Sequence, residues 1–269
     1  MDTSSIGLNS RPRPLRIAAI IPSRYGSKRF EGKPLATVAG KPMIQRVYEQ
    51  ALKAEHVETV MVATDDQRIF RAVEQFGGKA ILTDSSLRSG TDRVAQAATL
   101  LGLGPDHIVV NIQGDQPMFN PVCINQMVAP FTTEPELCMS TLACKITNPR
   151  EITDPKDVKV VMDKDGYALY FSRAQVPFPR DGLTIGDSSF NPENSVDYYK
   201  HLGFYAYKKS FLDMVANLTE GYLERIEKLE QLRVVENGYR IRVVITEHDS
   251  PEVDIPEDII RIERAIGEI

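Results

Sequence analysis

The sequence has little of what marks a metal-cluster, disulfide-stabilised or membrane protein. Its 269 residues include three cysteines, Cys123, Cys138 and Cys144, and none has the CxxC spacing of a zinc site or the regularity of a disulfide framework. No stretch approaches the roughly 18 uninterrupted apolar residues of a spanning helix. The start of the chain also lacks the apolar core of a signal peptide. We therefore expect a cytoplasmic protein without membrane insertion.

An excess of basic charge is absent too. Lys and Arg number 32 against 37 Asp and Glu, which gives a formal net charge of -5 and a pI near 5.5. A broad surface for nucleic acid is therefore excluded, and any anion has to be bound locally. Hydrophobic residues at 42% and charged residues at 26% are typical of a globular chain with a substantial core.

The first half of the chain alternates apolar runs with stretches of helical period. The predicted strands are Leu15–Pro22, Glu58–Ala63, Lys79–Leu82 and His107–Ile112, and the predicted helices are Met43–Glu55, Gln67–Phe76 and a helix capped by Thr91 that runs to Leu101. This pattern predicts an α/β fold with a Rossmann-like open, mostly parallel mixed sheet flanked by helices. Such sheets bind ligands outside the carboxyl ends of their strands, so the loops after strands are the candidate sites.

The alternation of strands and helices ends after Pro121, where strands follow one another with little helix between them. We expect an antiparallel insertion over about residues 137–207 within one domain that spans residues 15–269, preceded by a flexible extension of residues 1–14. The predicted elements are strands at Leu137–Ile146, Val158–Met162, Tyr167–Phe171, Gly203–Tyr207 and Arg240–Thr246, a hairpin turn at Asp163–Gly166, a long loop at Pro177–Val196, and helices at Tyr222–Glu236 and Pro256–Ile266.

The loop after the first predicted strand concentrates positive charge. Residues 22–34 read PSRYGSKRFEGKP and carry Arg24, Lys28, Arg29 and Lys33 in an acidic protein. Glycines in such a loop let backbone N–H groups approach phosphate oxygens, and arginine can bind them in a bidentate manner. The loop matches neither the Walker A nor the GxGxxG pattern. From charge alone, a phosphate site and a solvated basic loop both remain possible.

These residues also carry a family resemblance. PSRYGSKRFEGKPL, VATDD, SGTDRVAQA, VVNIQGDQP, YALYFSR, HLGFYAY, LEQLRVVENGYRIRV and EVDIPEDI, in this order, resemble the sugar nucleotidyltransferases, most closely the cytidylyltransferases that act on 3-deoxy-manno-octulosonate (Kdo). The resemblance implies transfer of CMP from CTP to the anomeric hydroxyl of Kdo, which gives CMP-Kdo and pyrophosphate for lipopolysaccharide or another Kdo polymer. It further implies Mg²⁺ as cofactor and a homodimer formed through the inserted strands.

The resemblance also assigns residues. Asp115 and Asp254 would hold Mg²⁺, since this ion prefers one or two carboxylates plus phosphate and water. The implied catalytic set is Arg24, Arg29, Lys33, Asp115 and Asp254. The implied nucleotide-binding set is Pro22, Ser23, Arg24, Ser27, Lys28, Lys33, Arg88, Ser89, Gly90, Thr91, Gln113, Gly114 and Asp115. The implied sugar-acid set is Gln113, Arg173, His201, Tyr205, Glu227, Glu230 and Gln231.

Structural interpretations stand beside these assignments. Asp115 is also a plausible turn residue, Asp254 a helix cap before Pro256, the SGT segment a helix start and His201 a core histidine. The chain departs from the family pattern at Glu31, where proline is common, and at Gln116, where an acidic residue is common. Alternative functions are a cytidylyltransferase for a sialic acid or amino-Kdo, a sugar-nucleotide glycosyltransferase, although Gly114-Asp115-Gln116 is not a DxD motif, and an inactive assembly subunit.

Overall fold

The computed structural model describes residues 15–26, 29–180 and 196–267. Ser27, Lys28, the amino-terminal extension and most of the predicted long loop lie outside the described residues. The strands are β1 Ile17–Ser23, β2 Thr37–Val38, β3 Lys41–Pro42, β4 Val57–Thr64, β5 Ala80–Leu82, β6 Ile108–Asn111, β7 Met139–Lys145, β8 Lys159–Met162, β9 Ala168–Ser172, β10 Tyr199–Lys208 and β11 Arg242–Thr246. The helices are α1 Met43–Ala51, α2 Gln67–Gln75, α3 Gly90–Leu100, α4 Val122–Val128, α5 Pro130–Thr133, α6 Pro149–Thr153, α7 Lys209–Asn217, α8 Tyr222–Glu227, α9 Leu232–Glu236 and α10 Asp258–Gly267, with a 3-10 turn at Lys33–Leu35.

The described residues form a mixed sheet of nine strands, around which the helices pack. Its main order is β11-β7-β10-β6-β1-β4-β5, with β8 beside β10 and β9 beside β8. Strand β1 runs parallel to both β4 and β6, whereas β10 lies antiparallel between β6 and β7. The predicted α/β class with an open, mostly parallel mixed sheet is therefore confirmed.

The sheet is covered on both faces, which explains its continuous apolar strands. One cluster of buried side chains packs α1, α2 and α4 against one face, through residues such as Ile44, Ile69 and Ile124. A second cluster packs α3 and α7 against the other face, through Val94 and Leu212. None of the helices in the described ranges combines the length and apolar character needed to cross a membrane.

The inserted strands belong partly to the main sheet. Strand β7 pairs with β11 in parallel and with β10 in antiparallel register, so only β8 and β9 form a separate hairpin arm on β10. The turn of that hairpin has Gly166 at φ 79°, in the left-handed region, as the sequence predicted. The cap of α3 differs from the prediction, because the side chain of Ser89, not Thr91, accepts the N–H of Asp92 at 3.1 Å.

The prediction of a single helix over Tyr222–Glu236 is wrong, because the structure has two short helices there. Lys228 adopts φ 55° and ends α8, and α9 begins only at Leu232. Ile226, in the first of the two short helices, is 62% exposed, while Leu232, at the start of the second, is fully buried. The break turns Glu227 and Glu230 toward different partners outside the helix, Ser172 and Thr91. Local helix propensity therefore yields to tertiary hydrogen bonds.

A buried ion pair joins the two short helices. Both Arg233 nitrogens Nε and Nη2 donate to the carboxylate of Glu224, at 2.8 and 2.6 Å, and each side chain is 7% exposed. Hydrogen bonding to Glu224 raises the pKa of Arg233 further above its ordinary value, although burial opposes the change.

We expect Glu224→Gln to lower the free energy of unfolding by about 3 kcal/mol, because it leaves the buried guanidinium without its counter-charge. Urea unfolding followed by circular dichroism measures the change. The matched control is Glu49→Gln, which breaks the exposed Lys41–Glu49 pair and should cost about 1 kcal/mol or less. Equal losses in both variants would contradict a structural role for the buried pair.

Candidate active site

Four chain segments meet at the carboxyl ends of the parallel strands. They are the loop after β1, the loop after β5, the turn after β6 and the irregular segment 249–254 between β11 and α10. The turn after β6 and the irregular segment are joined directly, since the N–H of Val253 donates to the carbonyl of Asp115 at 2.9 Å. This bond places the two predicted metal carboxylates, Asp115 and Asp254, on neighbouring backbone segments.

Lys33 lies at the centre of this meeting point. Its ammonium group is 2.6 Å from Asp115 Oδ2 and donates to the carbonyl of Val253 at 3.1 Å. Glycine is required just before it, because Gly32 has φ 70° and a Cβ there would lie 3.1 Å from the ring of Tyr25. The loop therefore turns back from β1 and delivers Lys33 to both partners.

Arg29 reaches the second carboxylate. Its guanidinium is 2.9 and 3.1 Å from the two oxygens of Asp254, and the arginine side chain is 67% exposed. Asp254 does not cap α10. Its own N–H donates to Asp258 Oδ2 at 2.9 Å, so Asp258 is the residue that organises the start of α10.

A third carboxylate, missed by the sequence interpretation, lies beside these two. Glu252 accepts from Gln116 Nε2 at 3.0 Å, and its pKa is raised to about 7 by burial of the carboxyl group and by the charges of Asp115 and Asp254. Although no group of three or more metal-type side chains is spaced to hold an ion in the described parts of the chain, Mg²⁺ needs only one or two carboxylates. The donor set of Asp115 and Asp254 fits it.

The hydrogen bonds of Gln116 explain why this chain has an amide at the position where an acidic residue is common in the family. It is fully buried, donates to the carbonyl of Leu202 at 2.9 Å, and accepts from the Ser250 hydroxyl at 2.6 Å. Because it also binds Glu252, this amide connects the turn after β6 to β10 and to segment 249–254. A carboxylate could not donate these bonds.

Ser89, Gly90 and Thr91 are the part of the predicted nucleotide-binding set that would contact the base, and we call them the predicted base-reading segment. Arg24 of the basic loop holds this segment in place. Arg24 Nη2 donates to the carbonyls of Leu87 and Ser89, at 2.5 and 3.1 Å, so one arginine links the loop after β1 to the start of α3. The amino terminus of α3 faces the same edge of the sheet and favours an anion by its helix dipole. Of the other predicted residues here, Arg88 is exposed, and its guanidinium is 4.0 Å from Asp92.

The turn after β6 packs closely on the end of β1. A Cβ on Gly114 would lie 3.1 Å from Ser23 Oγ and 3.3 Å from the carbonyl of Pro22. Gln113 points the other way, and its amide donates to the carbonyl of Gly203 at 2.9 Å. The predicted residues Pro22, Ser23, Gln113, Gly114 and Asp115 are therefore brought together.

Arg93 was missed although it lies in the quoted SGTDRVAQA motif. It is completely buried, ion-paired to Asp65 at 2.9 Å and hydrogen-bonded to Thr83 Oγ1. Burial lowers the pKa of its guanidinium below the ordinary value, an effect that Asp65 opposes. These bonds tie the loops after β4 and β5 to α3 and so support the predicted base-reading segment.

His201 lies on the predicted acceptor side and is 9% exposed. Its Nε2 is 2.9 Å from Thr141 Oγ1, and that hydroxyl donates its single hydrogen to the carbonyl of Phe204. His201 Nε2 must therefore be the donor to Thr141, which leaves Nδ1 as an acceptor. Burial lowers the pKa of His201 to about 3, so the ring is neutral near pH 7.

A second hydrogen-bonded group joins the acceptor side to the nucleotide side. Tyr205 donates to Gln231 Oε1 at 2.9 Å. Thr91, from the predicted base-reading segment, donates its hydroxyl to Glu230 Oε2 at 2.6 Å. The break between α8 and α9 places Glu230 within reach of Thr91, so the two predicted substrate sites share a direct contact.

Glu227 and Arg173 form a third group. Both oxygens of Glu227 are engaged, one by the Ser172 hydroxyl at 2.6 Å and one by the N–H of Arg173 at 3.0 Å. Arg173 in turn donates through Nε to the carbonyl of Glu227 and through Nη1 to the carbonyl of Pro155. In this arrangement Glu227 orients Arg173.

A cavity of about 320 Å³ lies between the predicted metal ligand Asp254 and the predicted sugar-acid residue His201. His201, Glu252 and Asp254 all line it. Tyr205, Glu230 and Gln231 instead border a narrow space of about 10 Å³ beside Thr91. Of the predicted sugar-acid residues, His201 therefore lines the first cavity and Tyr205, Glu230 and Gln231 the second, whereas Gln113, Arg173 and Glu227 line neither.

This fold and site define a nucleotidyltransferase. A basic loop, a helix amino terminus and two carboxylates that form ion pairs with the loop lie at the carboxyl edge of a mixed sheet. The cytidylyltransferase family model matches residues 18–242, and the chain belongs to that family. The chain is 59% identical to a 3-deoxy-manno-octulosonate cytidylyltransferase of Desulfatibacillum aliphaticivorans, over 93% of this chain and 98% of the relative.

Two further comparisons refine the similarity. The chain is 51% identical to an 8-amino-3,8-dideoxy-manno-octulosonate cytidylyltransferase of Shewanella woodyi, over 91% of this chain and 96% of the relative. A solved structure of a CMP:2-keto-3-deoxy-manno-octonic acid synthetase complexed with CTP superposes with a TM-score of 0.84 at 39% identity, and covers 94% of this chain and 99% of its own. The predicted family resemblance is therefore confirmed.

The buried, neutral His201 predicts a pH dependence of stability. Its pKa is about 3 in the folded protein and about 6.5 when unfolded, so only the unfolded chain takes up this proton as the pH falls below about 6.5. We expect the wild type to lose roughly 2 kcal/mol more unfolding free energy between pH 7 and 5 than His201→Gln. Urea unfolding at both pH values tests this, and equal losses would contradict a neutral buried ring.

Proposed function

We propose that this protein transfers CMP from CTP to the anomeric hydroxyl of Kdo, with release of pyrophosphate. The observation that carries the proposal is the cavity shared by Asp254, on the phosphate side, and His201, on the acceptor side. Such a cavity would let a sugar acid bound at His201 lie beside the carboxylate of Asp254. The family membership and the relatives named for Kdo support this chemistry and this substrate.

On the nucleotide side, the residues of this chain position the triphosphate. Arg29 and Lys33 are the cations that would contact its oxygens, and they would leave Asp254 and Asp115 for the phosphates when CTP binds. Arg24 holds the carbonyls of Leu87 and Ser89 in place for the cytosine. Phosphoryl transfer depends on such positioning and charge neutralisation more than on covalent catalysis.

Asp115 and Asp254 would hold Mg²⁺, which when bound neutralises the phosphate oxygens and the developing charge on pyrophosphate. The two carboxylates lie at the same edge because the N–H of Val253 is bonded to Asp115. The anomeric hydroxyl loses its proton to water as its oxygen attacks the α-phosphorus, the bond from that phosphorus to the bridging oxygen breaks, and pyrophosphate leaves with the electron pair of that bond.

On the acceptor side, Arg173 would pair with the carboxylate of the sugar acid. Nδ1 of His201 would accept a hydrogen bond from a substrate hydroxyl, because Nε2 already donates its hydrogen bond to Thr141. The pKa of His201 near 3 makes it a neutral hydrogen-bonding group at physiological pH rather than a source of positive charge. Tyr205, Glu230 and Gln231 would bind further hydroxyls after exchanging their present partners.

The same chemistry on an 8-amino sugar acid is the second candidate, because a relative that is 51% identical bears that substrate in its name. We also propose a homodimer formed through residues 137–207 and a cytoplasmic location, as the family resemblance implies. Sedimentation equilibrium or light scattering gives the solution mass that tests the dimer.

We expect Mg²⁺-dependent pyrophosphate release with CTP and Kdo, and kcat/KM for Kdo at least about tenfold above that for 8-amino-Kdo or a sialic acid, the lower end of the discrimination that one changed substrate group gives. A coupled phosphate assay with the three sugar acids measures this. Absence of Kdo turnover in the presence of CTP and Mg²⁺ would contradict the proposal. Faster turnover of 8-amino-Kdo than of Kdo would favour the second candidate, the 8-amino sugar acid.

We expect Asp115→Asn to lower kcat by more than about 100-fold, because loss of even outer-shell partners of a metal costs about 10- to 100-fold. The protein should stay folded, as shown by an unchanged circular dichroism spectrum. Asp165→Asn, on the β8–β9 turn, is the control and should keep full activity. An Asp115→Asn protein with wild-type Mg²⁺-dependent turnover would refute the metal assignment.

A further inference from the structure

A partly buried lysine outside the proposed substrate contacts lies next to the segment that carries Asp254. Lys200, on β10, has a side chain that is 12% exposed and forms ion pairs with Glu151 at 3.0 Å and with Asp249 at 2.8 Å. A third carboxylate, Asp157, is 4.0 Å away. These partners come from α6, the loop after it and segment 249–254, so one ammonium group gathers three separate parts of the chain.

Segment 249–254 needs such contacts because it has no helix or strand of its own. Its position depends on hydrogen bonds made one residue at a time. Ser250 donates to Gln116, Val253 is bonded to Asp115, and Asp254 is bonded to Asp258. Asp249 is the first residue of the segment, and Lys200 is its charged partner.

The surroundings of Lys200 make this contact strong. Burial of the ammonium group alone would lower its pKa, but the hydrogen bonds and charges of Asp249 and Glu151 raise the pKa of Lys200 above its ordinary value. Lys200, Asp249 and Asp254 also line the same cavity. A charge-assisted bond in a partly buried cluster resists displacement better than an exposed ion pair.

We propose that Lys200 is a positioning residue for the metal site, which acts through Asp249 to fix the segment that presents Asp254. This inference rests on the proposed function, in which Asp115 and Asp254 hold a divalent cation. The mechanism is geometric. The Lys200–Asp249 contact fixes the start of the segment, and Asp258 fixes its end by accepting hydrogen bonds from the N–H groups of Asp254 and Ile255.

Two substitutions separate this geometric role from a simple effect of charge. Lys200→Met makes the cavity more negative, whereas Asp249→Asn makes it less negative, yet both remove the Lys200–Asp249 ion pair. If the contact positions Asp254, both variants weaken cation binding. If only the local field matters, Lys200→Met strengthens it and Asp249→Asn weakens it.

The experiment measures Mn²⁺ binding to the nucleotide-free, full-length protein from the electron paramagnetic resonance signal of the unbound ion. We expect the dissociation constant to rise about tenfold in both Lys200→Met and Asp249→Asn, within the range for outer-shell partners of a metal. The double variant should be no worse than either single variant, and Lys200→Arg should restore much of the affinity. Lys145→Met, which breaks the exposed Lys145–Asp197 pair on the neighbouring strand, should leave binding unchanged.

Asp115→Asn serves as the reference in the same titration. If it abolishes Mn²⁺ binding while Lys200→Met and Asp249→Asn bind as the wild type does, the positioning role is overturned and the metal assignment stands. Opposite shifts in the two single variants also overturn it. If Asp115→Asn itself binds Mn²⁺ normally, the metal assignment fails. Asp249 is about half exposed, so Asp249→Asn provides the test even if Lys200→Met does not fold.

Discussion

The site depends on one constraint, which is that opposite charges from distant parts of the chain must be held at one edge of the sheet. Lys33 and Asp115 are 82 residues apart in the chain, yet their charged atoms are 2.6 Å apart. The backbone bond from Val253 to Asp115 brings the carboxyl-terminal segment to the same point. These cations and carboxylates neutralise one another across segments that are far apart in the chain.

The break between α8 and α9 shows how the acceptor side is built. A continuous helix would satisfy its own backbone, but it would direct Glu227 and Glu230 along one surface. With Lys228 in the left-handed conformation, Glu227 binds the end of β9 and Glu230 binds Thr91 at the start of α3. The buried Glu224–Arg233 pair stabilises this interrupted arrangement. The predicted nucleotide and acceptor sides are therefore connected through a deviation from regular helix.

The buried and partly buried polar groups differ in how many of their hydrogen-bonding atoms are used within the protein. Arg93, Gln116 and Lys200 are committed to internal partners that fix loops. His201 commits only one ring nitrogen, to Thr141, and keeps the other as an acceptor. This division explains why the loops after several strands can hold a defined geometry although they lack regular secondary structure.

The sequence by itself determined the alternation of strands and helices, the basic loop and the family, because apolar periodicity and ordered motifs are local properties. The prediction failed over Tyr222–Glu236, and it placed the cap of α3 on Thr91 rather than Ser89. It also gave no role to Gln116 or Lys200, since their importance comes from partners more than 40 residues away in the chain. Only the tertiary structure decided which charged side chains meet, because burial and long-range pairing, rather than local propensity, set the position of Asp254 and the protonation state of His201.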